Sequence, residues 1–558
     1  MRIIPIACFL MLLNWQARAQ RSQPTDPAKA LNNAKCTVAG TVARQDTGAP
    51  LRKATVILRS NETVEKSGFT ITDDQGHFEF DNVEPGSYRL DASHNGYLDS
   101  QFGQKKPGDP GANLSLVAGQ RMTDLVFKLL RSASITGHVI DEDGEPLPNV
   151  SVKAYQASSR RGKRGLGAMA EASTNDLGEY RIFDLRPGRY YIRASYQSRR
   201  NLMGITPSSP QISREDYPPT FYRNTTDPAK ADTITTKAGY EIPAVDFILK
   251  PSRVVTVTGK IFNAITTQPD SNVSVSLIPR GMILVGDDAS LEGETWNRKG
   301  TFVVRDVFPG SYILQAWWSS NQEHFLARRE LDVGDSDVEG ANLTIARGVD
   351  LSGHLAWEEK PPGEVQHPHV ALYPLDEGVY NSGAREVKPD GSFVIKNVAE
   401  GVYRPHVFTG SQDCFIKSVR MAQRMLLMAA WQFTPALTAL LQLKMSCRAA
   451  QIEGVALMGD SLPAAGVYVV AIPDVPLRNQ EWKYRAEITD QNGRFLLRGI
   501  LPGEYRIFSW DSADDFDWYD ATQLKPYESR GVPVGVQEGD HKTVQVTVIV
   551  TENAQAKQ

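Results

Sequence analysis

Two stretches of this 558-residue chain carry residue types suited to holding a sugar. Trp317 and Trp318 lie within AWWSSNQEHF, and Trp510, Trp518 and Tyr519 lie within SWDSADDFDWYD, among Asp511, Asp514, Asp515, Asp517 and Asp520. An aromatic ring stacks on the apolar face of a pyranose while neighbouring carboxylates accept from its hydroxyls. Trp317, Trp318, Trp510, Asp515, Trp518 and Tyr519 are therefore candidate ligand-binding residues. A plainer role is open to the same side chains, packing against the core or the next domain. Strand alternation sends one of Trp317 and Trp318 inward.

Other chemistry is thinly represented. His367-Pro368-His369 is the one close pair among nine histidines, and a solvated loop accounts for it. Asp141-Glu142-Asp143-Gly144 opens like a calcium loop, but a full site needs further oxygen ligands, including a bidentate Glu. As a turn, its Asp-Gly pair is explained by the demand for φ > 0. No G-x-S-x-G elbow, H-E-x-x-H helix or phosphate-binding loop is present, so no catalytic residue, metal ligand or cofactor is assigned. The formal net charge of −4 gives no electrostatic footprint for nucleic acid.

The elements that must position these loops announce themselves by repetition. Five times a glycine is followed by a second glycine ten residues on and a tyrosine two residues later: Gly76, Gly86, Tyr88; Gly178, Gly188, Tyr190; Gly300, Gly310, Tyr312; Gly391, Gly401, Tyr403; Gly493, Gly503, Tyr505. A period near one hundred residues is too long for a solenoid unit and marks whole domains in tandem. Within GHFEFDNVEPGSY, Phe78 and Phe80 alternate with Glu79 and Asp81, as on a half-buried strand. The Pro-Gly pair then reverses the chain, with Gly expected at φ > 0. About forty residues upstream each copy has a strand, a polar turn and another strand, opening on a shared glycine, as in ITGHVIDEDGEPLPNVSVKAY. Asp73, Asn175 and Asp490 stand just before the first motif glycine and read as turn formers.

The expected fold class is all-β, a tandem array of five antiparallel Greek-key β-sandwich modules. The expected domains are 36–130, 133–251, 253–347, 349–450 and 451–550, with a signal peptide at 1–19, a linker at 20–35 and a tail at 551–558. Arg2, the apolar run Ile3–Leu13 and Ala17-Arg18-Ala19 place signal cleavage between Ala19 and Gln20. The chain is thus expected to be exported (periplasmic, outer-surface or extracellular), with no transmembrane span in its mature part. Cys36, Cys414 and Cys447 remain after cleavage, and this odd number leaves a thiol over. Cys414–Cys447 is one pairing open to them. The short junctions Arg131-Ser132 and Pro251-Ser252 predict a semi-rigid rod.

Residues 421–445, MAQRMLLMAAWQFTPALTALLQLKM, break the pattern. Three readings stand side by side: an amphipathic or membrane-facing helix, a helical insertion between modules four and five, or a frame change in the gene, reversed near Cys447.

The motifs carry a family resemblance. Gly137, Val139, Asp141, Gly144, Pro146 and Leu147, followed by Thr174, Asn175, Gly178, Tyr180, Leu185, Pro187, Gly188 and Tyr190, resemble the carboxypeptidase regulatory-like domain. That family has a transthyretin-like (prealbumin-like) sandwich related to starch-binding-like and Ig-like domains. The resemblance extends over most of 36–550, more strongly in copies one, two and five. The chain also looks like multi-copy exported proteins of soil bacteria such as acidobacteria, which carry segments like YPPTFYRNTTDPAKA. The resemblance implies an accessory module and no peptidase. The expected function is a non-enzymatic array for adhesion, carbohydrate binding or envelope scaffolding, with a polysaccharide or an envelope protein as partner. The alternative is an accessory subunit of an exported peptidase or glycosidase.

Overall fold

The computed structural model describes residues 34–550 apart from 62, 161–162, 197–214, 270–272, 281–283, 286–290, 297–299, 321–322, 360–362, 364, 366, 376–383, 422–423, 427–430, 434–439, 460 and 513–515. The cleavage pair Ala19–Gln20, the candidate ligand Asp515 and the 551–558 tail lie outside the described residues.

In the first module, Cys36–Arg44 is the centre of one sheet, antiparallel to His77–Val83 and parallel to Arg121–Leu129. In the other sheet Thr55–Ser60 lies between Gly68–Ile71 and Gly86–Ser93, which also pairs with Leu114–Leu116. Alternate residues of both sheets point inward, so Val38, Val42, Val56, Leu58, Phe78, Tyr88, Leu90 and Phe127 meet in one core. Each of the other four repeats builds its own core in the same way. The chain is an all-β tandem array of antiparallel Greek-key sandwiches.

The parallel pairing of a module's opening strand with its last strands explains the shared opening glycine. A Cβ at Gly40, Gly137 or Gly454 would overlap the backbone carbonyl of Leu125, Val245 or Val544 respectively. In the fourth module the crowding partner of Gly353 is instead the ring of Phe393.

The two strands of the repeated motif do not pair with each other. His77–Val83 and Gly86–Ser93 lie in opposite sheets, and the turn carries the chain across the sandwich. The left-handed residue of this crossing is Asn82, Asp184, Asp306, Asn397 or Gly499, with φ of 61°, 57°, 54°, 58° and 69°. These are the residue types that tolerate that region. The expectation of φ > 0 at the second motif glycine is corrected at Gly188, Gly310 and Gly401 (which follows Glu400 where the other copies have Pro), whose φ is not positive. A Cβ at Gly310 would stand 3.4 Å from the Tyr312 ring, an ordinary contact, so the glycine packs beside the tyrosine two residues on without being required by it. The phenol then reaches back to the carbonyl four residues earlier. Tyr88 donates to Glu84 O at 2.8 Å, Tyr190 to Arg186 O at 3.0 Å and Tyr312 to Phe308 O at 2.8 Å.

The helical readings of 421–445 are corrected. Arg424–Leu426, Trp431–Phe433 and Leu441–Ser446 are strands. Met421, Trp431, Phe433, Leu441, Leu443 and Met445 are buried in the fourth core. The reason is local: W-Q-F and L-Q-L-K-M alternate with period two, so each sends one apolar face inward. Cys414 and Cys447 are disulfide-bonded, and the remaining thiol, Cys36, is buried and donates to Val117 O at 3.1 Å.

The rod expectation also needs correction. Although junctions such as Arg131-Ser132 are short, the first module touches the fifth: Asn113 forms a bridge with Asp490, and Ser512 Oγ lies 2.5 Å from Asp109 Oδ1.

Candidate functional site

Where the fourth module meets the fifth there is an open cleft of about 450 Å³. One wall is the end of Gly401–Phe408 with the loop that follows it, bringing His406, Phe408, Thr409 and Gln412. The other wall is two strands joined by a turn but not paired with each other, Arg485–Ile488 and Arg494–Ile500, bringing Arg485, Glu487 and Arg498.

Strand alternation explains the first wall. Tyr403 and Pro405 are buried, so Arg404, His406 and Phe408 face the other way. Phe408 is 41% exposed. The His406 ring lies edge-on to it at 4.5 Å and to Tyr373 at 5.4 Å, making a small aromatic shelf. Arg404 reaches across the junction, its guanidinium 5.2 Å above the Trp482 ring.

The electrostatics of the cleft follow from desolvation. Loss of water pushes the His406 pKa below its ordinary value, with the Arg404 charge adding to the effect. In its neutral form the imidazole can donate from one nitrogen and accept at the other. Desolvation pushes the Glu487 carboxyl up, against the pull of Arg89 and Arg498. Arg485 is also desolvated, and its Nη1 donates to the carbonyls of Trp482 (2.6 Å) and Tyr484 (2.8 Å).

The junction is held by polar contacts on the far side of Cys414. Lys417 pairs with Glu358 and with Glu538 of the fifth module, the latter at 2.6 Å. Glu359 accepts from Cys447 N at 2.6 Å, and Ser446 Oγ lies 3.2 Å from Glu538. The hydrogen bonds from Lys417 and Lys444 hold the Glu358 carboxyl below the usual carboxylate range.

The residues singled out in the sequence are dispersed. Trp317 is on the outer face of Gly310–Ser320 and 40% exposed. Trp318 turns inward onto the third core, 5.0 Å from Phe325. Trp510 has no exposed surface. It stacks on Phe508 at 5.1 Å and, with Phe516, Trp518 and Tyr527, forms a second core on the outer face of the fifth module. A buried ring offers no face to a sugar, which removes Trp510 from the candidate set. Trp518 and Tyr519 are half-buried against the same cluster. Two of the neighbouring aspartates shape the local backbone: Asp520 caps the helix Ala521–Leu524 through Thr522 N at 2.8 Å, and Asp517 accepts from Tyr519 N at 3.0 Å. The caps pull the Asp520 carboxyl down to about 2, chiefly through its bonds to Thr522.

His367 is exposed just before the strand His369–Pro374, and His369 is half-buried at its start. His367 Nδ1 lies 2.8 Å from Glu386, and His369 Nδ1 lies 2.8 Å from the carbonyl of His367. Asp141 uses its carboxylate on the backbone N–H groups of Asp143 and Glu145, which accounts for the D-x-D-G string as a turn. Among the described residues, no group of three or more His, Cys, Asp or Glu gathers around a point that could hold a metal ion. Among them, too, no helix is long and apolar enough to cross a membrane.

Sequence reasoning missed the cleft because its walls come from two modules. A signal was available in the alternation of Arg404, His406 and Phe408, three polar or aromatic residues on the outward face of one strand.

Residues 37–129 and 134–214 match the model of the carboxypeptidase regulatory-like domain, a non-catalytic kind of module. No curated protein matches the chain. Among solved structures, the chain is similar to GBS52, the minor pilin of Streptococcus agalactiae, at 13% identity and TM-score 0.23, over 39% of this chain and 96% of that one. It is similar to a streptococcal ancillary pilin at 10% identity and TM-score 0.19, over 56% and 99%. It is similar to the Bacillus anthracis TIE protein at 10% identity and TM-score 0.15, over 73% and 72%. Over its first two modules, then, the chain resembles tandem carboxypeptidase regulatory-like domains, as the motif around Gly137 and Tyr190 implies.

Proposed function

We propose that the protein is an exported, non-catalytic binding and scaffolding array whose ligand is a saccharide. The observation that carries this reading is the cleft between modules four and five. Its shelf of Phe408 and His406, with Tyr373 behind His406, can take a sugar face, and the imidazole, Glu487 and Arg498 can pair with hydroxyls on its rim. Exposed Trp317 is a second platform on the third module. Each platform alone is a weak site; two on one chain gain avidity if a polymer engages both.

The test is retention of the chain on insoluble polysaccharides and on peptidoglycan, with Phe408→Ala and Trp317→Ala in parallel. Retention lost in Phe408→Ala and reduced in Trp317→Ala supports the reading. No retention on any glycan would overturn it and turn attention to protein partners, including an exported hydrolase that the array could assist.

A further inference from the structure

Module five does more than follow module four; it returns to module one. Leu114–Leu116 is an edge strand of the first module, paired on one side with Gly86–Ser93. An unpaired edge leaves backbone N–H and C=O groups open to any passing strand. Here the side-chain amide of Gln491 takes both groups of Ser115. Ser115 N donates to Gln491 Oε1 at 3.0 Å, and Gln491 Nε2 donates to Ser115 O at 2.9 Å. Gln491 N also donates to Asn113 O at 3.2 Å. Using one N–H and its oxygen, the carboxamide thus stands in for a peptide group of a neighbouring strand.

Two further contacts lie beside it. The Asp109–Ser512 hydrogen bond joins side chains that are 4% and 1% exposed. Gly466 backs so closely onto the first module that a Cβ there would come within 2.8 Å of Gly103 O.

The contact is selective by sequence. Gln491 is the second residue of the turn just before the motif glycine. The matching positions in the other four modules are Asp74, Asp176, Arg298 and Pro389. None of these has an amide, and an aspartate there would set a second acceptor against the Ser115 carbonyl. Of the five copies of this turn, the fifth alone can complete that edge.

The turn also belongs to the cleft. It joins Arg485–Ile488 to Arg494–Ile500, the two strands that bring Arg485, Glu487 and Arg498 to the fifth-module wall. The charge of Arg89 of the first module acts on Glu487. We infer that the contact between the Leu114–Leu116 edge and the Gln491 turn is a specific clasp that closes the chain head to tail and holds in place one wall of the cleft between modules four and five.

Two measurements on the full chain test this. Small-angle scattering of the unmodified protein reads closure directly. Five modules end to end, each about 30 Å long from nine-residue strands, would span about 150 Å; the closed chain should be shorter by about a third or more. A largest dimension near 150 Å would overturn the inference. The second measurement uses Asn113→Cys with Asn492→Cys, which keeps Asp490 to organise the turn, treated with a short thiol cross-linker at high dilution and mapped by mass spectrometry. A cross-link within one chain is expected, with its yield falling about fivefold when Gln491→Glu is added. Gln491→Glu should also speed amide exchange across 485–498 while leaving the first-module core strands unchanged, which separates opening from unfolding. A cross-link found only between chains, or a yield and exchange indifferent to Gln491→Glu, would overturn it.

Discussion

The tyrosine that ends each motif gives a prediction with an internal control. Tyr88 is buried and its phenol donates to Glu84 O at 2.8 Å. Tyr505 occupies the same place in the fifth module and is equally buried, but its hydroxyl has no hydrogen-bond partner among the described residues. Burial also pushes the Tyr505 phenol pKa well above its ordinary value. Replacing Tyr88 with Phe removes a satisfied hydrogen bond, worth about 1 kcal/mol net and up to about 2 if the carbonyl is left unpaired. Replacing Tyr505 with Phe removes a hydroxyl that was desolvated without return, so the change should be neutral or stabilising by up to about 1 kcal/mol. A five-module chain does not melt in one step, so a single melting temperature would blur the two effects. The assay is hydrogen exchange read by mass spectrometry on core-strand peptides of each module. A loss of 1 to 2 kcal/mol speeds exchange through module opening about five- to thirtyfold. Tyr88→Phe should do this in Cys36–Arg44 and its partners, and Tyr505→Phe should leave Ala450–Leu457 unchanged or slower. Equal acceleration by both variants would refute the assignment of distinct roles to the two hydroxyls.

Three other outcomes are expected. Gly454→Ala, whose new Cβ would overlap the Val544 carbonyl, should cost the fifth module more than about 3 kcal/mol, seen as rapid proteolysis confined to 451–550. Reduction of Cys414–Cys447, which are 33 residues apart, should remove about 4 kcal/mol from the fourth module and speed its exchange alone. The third outcome concerns pH. Hydrogen bonds from Arg478, then its charge, hold the Glu528 carboxyl below its ordinary value of 4.5. A depressed carboxylate stabilises above its ordinary pKa and loses that contribution as pH falls through the depressed value. Indole emission from Trp510 and Trp518, beneath the Lys525–Arg530 segment, should therefore change only below about pH 4.5. Glu528→Gln should show the loosened signal already at pH 7; an acid transition identical in the two proteins would count against the Arg478–Glu528 pair as its source.

What was legible in the sequence was what a module must do to fold by itself. Alternation at Phe78 and Phe80 reports one buried face, and it holds in all five motifs because each module buries its own core. The motif tyrosine and the opening glycine were visible as repeats, but their physical reasons were not. Tyr rather than Phe is needed where the phenol has a carbonyl four residues back, and Gly40 is needed because a parallel strand some eighty residues away lays a carbonyl against it. The left-handed column of Asn82, Asp184, Asp306, Asn397 and Gly499 could have been found by stacking the five copies, since Asn, Asp and Gly share little beyond tolerance of that backbone region.

What was not legible depends on neighbours the local pattern does not encode. The Met/Leu/Ala content of 421–445 suits a helix by propensity, yet its short alternating pieces fill the fourth core, where tertiary packing overrides propensity. Trp510 looked like a ligand platform because aromatics and carboxylates were adjacent in sequence. In the fold Asp517 and Asp520 cap backbone turns and the rings cover one another, so the same composition closes a surface instead of opening one. Gln491 carried no signal within its own module, where Asp490 alone organises the turn through Asn492 N and Arg494 N, each at 2.8 Å. Its role is seen only against Ser115, 376 residues away. Repetition therefore identifies the residues that make each sandwich, and departures from repetition, such as Gln491 among Asp74, Asp176, Arg298 and Pro389, are where to look for what the modules do to one another.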